Sequence, residues 1–168
     1  MGERSAMFEL EITLNEFNRA YLESLLASLT DEQLDEQPAP GLHSARWILA
    51  HLAVVVDYGF QQLEMPFICP KAWHAAYGPG TEPGTDARVQ PSRAELMSVI
   101  NNGYSLLCES LKNASKETLS AAHEVDLLKH TVLKTKGQLT AHILSSHFST
   151  HLGQLSTLRR LMGFDPLF

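Results

Sequence analysis

The sequence predicts an all-α protein whose long helices form a four-helix bundle. Four segments repeat their apolar residues at intervals of three and four, the period of an amphipathic helix, and no convincing strand alternation is present. Stretches rich in proline, glycine and serine separate these segments. A chain of 168 residues, 44% of them hydrophobic and 19% charged, can bury a core of its own. We therefore expect one domain over residues 1–168.

The first segment predicts a helix over residues 5–29. Thr30 and Gln33 then have the spacing of a capping box that begins a short acidic turn, and the Pro-Ala-Pro-Gly stretch at 38–41 ends that turn. The apolar residues of this helix form one stripe, which we expect to face the core: Met7, Leu10, Leu14, Phe17, Tyr21, Leu25 and Leu29.

The second segment predicts a helix from Ser44 to Met65, because Pro66 lacks the amide that a longer helix would need. Its inward stripe consists of Trp47, His51, Val54 and Tyr58. The connection at 66–91 is long enough to cross one end of a bundle, and residues 70–77 within it allow one short helical turn. Connections of this length are uncommon unless they have a function.

The third predicted helix begins after a second capping box, Ser92 with Glu95, and continues to about Asn113. A mixed segment at 115–137 follows, with a short helix expected at 116–122. The fourth long helix covers 138–162. It ends at Gly163, after two arginines whose charge suits the negative end of the helix dipole.

Charge and composition argue against several classes of partner. Acidic residues outnumber basic ones 19 to 13 and no basic run is present, so we expect no nucleic acid. The apolar stretch around 47–60 is too short and too polar to span a membrane, and the N-terminus lacks a continuous apolar signal core. These features predict a cytoplasmic protein. Cys69 and Cys108 are expected to be free thiols, since two cysteines are too few for a disulfide framework.

The pattern with the clearest chemistry lies in the fourth long helix, where His147, His151 and Gln154 occupy consecutive positions of the core-facing stripe. Burying such polar groups without partners costs roughly 1–3 kcal/mol each, so packing alone does not explain them. His51 falls on the apolar stripe of the second helix and faces the same core. Three imidazoles can hold one divalent ion and leave a coordination position open. We therefore predict a metal site on His51, His147 and His151.

These histidines allow two other interpretations, and the sequence excludes two other kinds of metal site. Three separately satisfied core histidines remain an alternative, and so does a haem held between His51 and His147, which would leave His151 without a role. A di-iron carboxylate site is excluded because no glutamate precedes a histidine by three residues, and no HExxH motif is present. Asp57 is the nearest candidate for a fourth ligand, but it lies about 100° around the helix from Tyr58.

The residues around the predicted site divide into two groups. Trp47, Tyr58 and Gln154 each lie about one turn from a ligand, so they are candidates to line a pocket over the metal. His142 lies about 140° around the helix from His147 and is expected to face away. His43 is a candidate cap for the second helix, and the remaining histidines are expected to be solvated in connecting segments: His74, His123 and His130.

Two motifs give the sequence a family resemblance. The segments WILAHLA at 47–53 and HFSTHLGQL at 147–155 resemble those of the DinB-like (YfiT-like) metalloprotein superfamily, in an order that covers nearly the whole chain. The resemblance implies a left-handed bundle with up-down-down-up connectivity and a long crossover between helices two and three. It also implies a three-histidine site for zinc, nickel or a similar ion, and frequently a homodimer.

Members of that superfamily with known activity are thiol-dependent enzymes. They include transferases that attach mycothiol or bacillithiol to electrophiles, and a mycothiol-dependent maleylpyruvate isomerase. By resemblance we expect a metal-dependent enzyme that transfers a low-molecular-weight thiol to a small electrophile, or isomerises one, with Tyr58 or Gln154 orienting the substrate. The alternatives are a structural or sensory metal site without turnover, and a hydrolase that uses metal-bound water.

Overall fold

The computed structural model describes residues 7–81 and 89–167. A π-helical turn, Ile143–His147, joins the last two helices into one continuous rod, and short 3₁₀ turns lie at Gln33–Asp35 and Asp126–Leu128. The helices in chain order are α1 (Glu9–Leu26), α2 (Ala45–Gln62), α3 (Lys71–Tyr77), α4 (Arg93–Asn113), α5 (Lys116–Ser120), α6 (Lys136–His142) and α7 (Phe148–Leu161).

The predicted all-α four-helix bundle is confirmed. Its long members are α1, α2, α4 and the rod formed by α6, the π turn and α7, while α3 and α5 are short helices within the connections. No β-strand occurs within 7–81 and 89–167, where an isolated bridge between Ala122 and Thr135 is found instead. None of the helices in this part of the chain has both the length and the apolar character that crossing a membrane requires.

Helix α2 runs through the middle of the bundle, with nearly every side chain buried. It begins at the predicted place, but the cap is Ser44, whose hydroxyl accepts the Trp47 amide at 3.2 Å. The prediction that His43 caps this helix is therefore wrong. Helix α2 also ends earlier than predicted. Where it meets α4, a Cβ on Gly59 would lie 2.5 Å from the buried Leu107 side chain, so a larger residue there would force that side chain to move.

The predicted helix boundaries hold where capping chemistry sets them. Thr30 with Gln33 and Ser92 with Glu95 both form reciprocal capping boxes, as expected from their spacing. The short helices expected at 70–77 and 116–122 are present as α3 and α5. The predicted beginning of the first helix at residue 5 lies outside the described residues, as do positions 82–88 of the long connection.

Helix α1 is turned differently from the prediction. Leu25 and Leu29 of the predicted core stripe are buried, but its N-terminal part faces outward, with Leu10 67% exposed and Phe17 58% exposed. The face that packs inward over this part of α1 contains two asparagines between apolar residues: Ile12, Asn15, Asn18 and Leu22.

The two inward asparagines explain this orientation. Asn15 donates to the Leu144 carbonyl at 3.0 Å, and Asn18 donates to the Ser149 hydroxyl at 3.0 Å and to the Ser145 carbonyl at 3.5 Å. Leu144 and Ser145 belong to the π turn, where the regular hydrogen-bond ladder of the helix is interrupted. Buried carbonyl groups need partners. Helix α1 therefore turns its amide-bearing face inward and its apolar stripe outward.

Candidate metal centre

Three histidine nitrogens converge inside the bundle. His51 comes from the middle of α2, His147 from the end of the π turn and His151 from the next turn of α7. The Nε2 atoms of His51 and His147 are 3.3 Å apart, and those of His147 and His151 are also 3.3 Å apart. One ligand nitrogen from each residue lies within 4.8 Å of the others. Ligand atoms at ~2.0–2.1 Å from a tetrahedral ion are ~3.3–3.4 Å apart, so these two separations fit one ion.

In two of these rings the nitrogen that faces away from the cluster, Nδ1, forms a hydrogen bond that fixes the tautomer. His51 Nδ1 lies 2.7 Å from the Tyr77 carbonyl oxygen, which can only accept, so this nitrogen carries the proton. His151 Nδ1 likewise donates to Gln154 Oε1 at 2.8 Å. In both rings Nε2 is left with a free lone pair that faces the other histidines. Ligand histidines in proteins are held in this way, with the second nitrogen donating to an outer acceptor.

His147 differs from the other two. Its Nδ1 atom is buried and has no hydrogen-bond partner among the described residues, while its Nε2 atom lies between those of His51 and His151. Among the described residues, the polar contacts of His147 are therefore made by Nε2 alone. Lone pairs that face one another at this spacing repel unless a proton or a metal ion lies between them.

Burial keeps all three imidazoles neutral. Burial, and then the nearby His151, lower the pKa of His51 to about 4, while the bond to Tyr77 opposes the change. For His147, burial and then the other histidines, beginning with His151, lower the pKa to about 2. Burial also lowers the pKa of His151, against the effect of its bond to Gln154. Neutral imidazole is the form that binds a metal ion.

The donor set fits a divalent ion of the zinc type. It consists of three neutral imidazoles, and the described residues place no fourth histidine, cysteine or carboxylate ligand with them. Asp57, the sequence-based candidate for a fourth ligand, forms hydrogen bonds with other groups. Its buried carboxylate accepts the amides of Ile68 and Cys69, at 2.8 and 3.0 Å, and contacts His74 Nε2 at 2.8 Å.

These bonds to Asp57 give the long connection a role at the site. They tie the segment before α3, and α3 itself through His74, to the side of α2. Helix α3 ends at Tyr77, the residue whose carbonyl oxygen orients His51. The prediction that His74 is a solvated surface residue is therefore wrong. His123 is also buried, bonded to the Leu133 carbonyl at 2.9 Å, whereas His130 is exposed as predicted.

The π turn changes the position of His142. A regular α-helix would turn this residue away from His147, as predicted, but a π turn places residues five apart on one face. The rings of His142 and His147 consequently meet edge to face, 5.7 Å between centroids, and His142 Nδ1 bonds to Ser146 Oγ at 2.7 Å. The expectation that His142 faces away from the site is wrong for this reason.

A cavity of about 290 Å³ opens beside the three histidines. Two of the predicted pocket residues, Trp47 and Tyr58, line it together with His51, His147 and His142. The rest of its wall is mostly apolar: Val55, Pro79, Gly80, Val125, Leu127, Leu128, Leu139 and Ile143.

Gln154 is placed differently from Trp47 and Tyr58. It does not line this cavity but bonds to the outer nitrogen of His151 and lies beside a second cavity of about 310 Å³, next to His43. Two further groups belong to the site but are not evident from the sequence: His142, which lines the cavity, and the Tyr77 carbonyl, which bonds to His51. Neither had a detectable signal, because the first depends on a π turn and the second on a backbone atom of a connection.

The fold and the site together define a helical-bundle protein with a three-histidine cluster suited to a divalent metal ion. The family model of the DinB superfamily matches residues 14–155, and the chain belongs to that superfamily.

Solved structures share this fold at low sequence identity. A conserved protein from Enterococcus faecalis is 19% identical with a TM-score of 0.69, over 92% of this chain and 96% of that one. YfiT from Bacillus subtilis, described as a probable metal-dependent hydrolase with an unusual four-helix bundle topology, is 16% identical with a TM-score of 0.61, over 92% and 87%. No curated protein sequence matches the chain.

Proposed function

We propose that the chain is a metal-dependent enzyme that transfers a low-molecular-weight thiol to a small electrophilic molecule, with one divalent ion held by His51, His147 and His151. The main support is that nitrogens of three histidines converge without a fourth protein ligand in the described chain, and that two of these histidines, His51 and His147, line a cavity. Structural sites usually have four protein ligands, whereas catalytic sites keep one position open. A bound ion supplies Lewis acidity, which lowers the pKa of a thiol or water that reaches it.

Residues around the histidines have separate proposed tasks. Trp47 stacks on the His51 ring, with centroids 4.8 Å apart and planes 9° from parallel, and so holds that ring in place. The hydroxyl of Tyr58 is available to orient the substrate. Burial, and then the charge of Asp57, raise the Tyr58 pKa, so the phenol stays protonated and can donate a hydrogen bond at neutral pH. The proposed role of Gln154 is to orient His151.

We propose zinc as the bound ion, with nickel as the alternative. Three imidazoles with one position left open are a ligand set typical of catalytic zinc sites. Two of the Nε2–Nε2 separations, each 3.3 Å, are compatible with such an ion. Elemental analysis of the purified protein would test the assignment, and nickel in stoichiometric amount would contradict it.

A metal-dependent hydrolase is the second candidate. The observation that favours it is the similarity in fold to YfiT, which is described as a probable metal-dependent hydrolase. The two functions differ in the nucleophile, which is a thiol in the first case and water in the second. The apolar cavity favours the thiol, because it offers few polar groups to hold and orient water.

One assay separates these functions. Zinc-loaded protein would be given an aryl halide with cysteine, glutathione or a sugar thiol, and separately an activated ester without thiol. Transferase activity predicts thioether formation that requires thiol and is lost in His147→Ala. Ester cleavage without thiol would favour the hydrolase. Stoichiometric zinc without either activity would favour a structural or sensory site.

We also propose that the chain forms a cytoplasmic homodimer. The unpaired state of Cys69 and Cys108, both buried, is consistent with a reducing compartment. Support for the dimer comes from the outward stripe of α1, in which Met7, Leu10, Leu14 and Phe17 are all exposed. Intervals of three and four residues are the heptad pattern by which one helix packs along another. A second copy of this chain offers a matching helix.

A further inference from the structure

The cavity beside the histidines has no arginine, lysine, aspartate or glutamate among the described residues of its wall. Eight of the lining residues are aliphatic, proline or glycine, and the aromatic ones are Trp47 and Tyr58. Apart from the indole, the side-chain groups in the wall that can form hydrogen bonds are the Tyr58 hydroxyl and the imidazoles, including His142.

An apolar wall of this kind favours uncharged ligands over charged ones. An ionised carboxylate or ammonium that enters an apolar cavity loses hydration, and the loss is unfavourable unless an opposite charge replaces it. The described lining provides no arginine or lysine for a carboxylate and no aspartate or glutamate for a cation. Apolar groups gain from the same transfer, at roughly 25 cal/mol per Å² of surface removed from water.

The volume limits the size of the ligand. A cavity of about 290 Å³ lies at the small end of ligand sites, which range over ~300–1,000 Å³. A volume at this end of the range suits one substituted aromatic ring or a short branched chain. A large polar molecule would have to keep most of its surface outside.

We propose that this cavity binds an uncharged, predominantly apolar molecule about the size of one substituted aromatic ring, whose reactive group points toward the three histidines. In the proposed transfer this molecule is the electrophile, and only that part of the inference rests on the proposed function. Preference for an uncharged apolar body follows from the part of the cavity wall that lies away from the histidines, where a charged group has no partner of opposite charge.

The test compares two thiols of the same shape. 4-Methylbenzenethiol and 4-mercaptobenzoate both present a thiol to a metal ion, but they differ in charge at the opposite end of the ring. They would be titrated into cobalt-substituted protein and followed in the visible spectrum. We expect the methyl compound to bind at least tenfold more tightly. Equal affinity, or tighter binding of the carboxylate, would overturn the proposal.

A pair of variants locates the effect in the cavity. Leu127 lines the cavity but is 69% exposed, so Leu127→Arg adds a cation at its edge without burying one in the core. This change should reduce the preference for the methyl compound at least threefold. Val132→Arg adds the same charge at a position that is 88% exposed and does not line the cavity. It should leave the preference unchanged, and an equal effect of both variants would contradict the assignment.

A second measurement keeps the test independent of the metal. Metal-free protein would be titrated with p-xylene and with 4-methylbenzoate by calorimetry. Binding of p-xylene, with at least tenfold weaker binding of the benzoate, supports the apolar cavity even if cobalt does not load. Failure to load cobalt contradicts the proposed function alone, whereas loss of the preference in both titrations contradicts the inference alone.

Discussion

At the scale of single residues, the outer hydrogen bonds of the histidines determine what the site can bind. The Tyr77 carbonyl and the Gln154 side-chain oxygen each accept a hydrogen bond from one ring, so His51 and His151 present lone pairs to a common point. His147 has no such acceptor among the described residues, although its Nδ1 atom is buried. The ring of His147 is central because its Nε2 atom lies 3.3 Å from both others.

This arrangement predicts the effect of removing single ligands. His147→Ala should abolish stoichiometric zinc binding, because the remaining two nitrogens belong to different helices and two imidazoles hold zinc weakly. His51→Ala should have the same effect. His130→Ala, at an exposed position in a connection, is the matched control and should keep one zinc per chain. Elemental analysis after dialysis measures the outcome, and full zinc content in His51→Ala would remove α2 from the site.

The lowered pKa values predict how acid affects the metal-free protein. Folding lowers the pKa of His51 from about 6.5 to about 4, so between these pH values the unfolded chain binds a proton that the folded chain does not. Stability from this group is therefore complete above about pH 6.5 and falls as the pH drops toward 4. The contribution of His147 continues to fall toward pH 2.

Urea unfolding of metal-free protein between pH 7.5 and 5 would measure this dependence. The free energy of unfolding should decrease with falling pH, and His51→Gln should make the decrease smaller because one titrating group is removed. A slope unchanged by this substitution would contradict the assigned pKa. Because the folded imidazoles stay neutral below pH 6.5, proton competition for the metal should begin at a lower pH than the unperturbed imidazole value predicts.

At the scale of helices and connections, the sequence predicts where each helix lies along the chain better than which of its faces turns toward the core. Apolar periodicity and capping boxes locate the long helices, since both signals are local. The rotation of α1 was not predictable in this way, because Asn15 faces inward to reach a carbonyl of a π turn 129 positions away. The metal ligands could be identified because they interrupt apolar stripes. His142 could not, because nothing in the sequence at 143–147 indicates a π turn.

The role of the connection between α2 and α4 is likewise evident only from the three-dimensional structure. Asp57 fixes residues on both sides of the beginning of α3, and the end of α3 supplies the carbonyl that orients His51. Asp57→Ala would leave the buried Cys69 amide and the partly buried Ile68 amide without acceptors. Each unsatisfied amide costs roughly 1–3 kcal/mol. This variant should therefore be less stable and should also bind zinc less tightly, by about 10–100-fold, the range seen when outer partners of ligand histidines are lost.

The two effects can be separated experimentally. His74→Phe removes one bond to Asp57 but leaves its two amide bonds in place, so it should weaken zinc binding less than Asp57→Ala. Competition with a chromophoric chelator measures zinc affinity, and urea unfolding of the metal-free forms measures stability. Zinc affinity unchanged in Asp57→Ala, despite lower stability, would show that α3 does not position His51.

At the scale of the whole molecule, the outward stripe of α1 is an apolar surface that the described residues leave uncovered. Leu10, Leu14 and Phe17 project from it at the spacing used by helices that pack side by side. Exposed apolar surface of this kind marks interaction sites. The same orientation of α1 brings Asn15 to the π turn that carries His147. A dimer through α1 would therefore cover an apolar surface directly behind the metal site.

This arrangement predicts that charge on the stripe separates the subunits while the metal site remains intact. Phe17→Glu places a carboxylate in the proposed interface, where pairing would bury it without a partner, so the dimer should dissociate at least tenfold more readily. Val132→Glu makes a comparable change on an exposed part of the chain outside α1 and should leave the assembly unchanged. Sedimentation velocity over a range of concentrations measures both variants, and elemental analysis should still find one zinc per chain in each. A wild-type chain that sediments as a monomer, or a dimer unaffected by Phe17→Glu, would show that α1 does not form the interface.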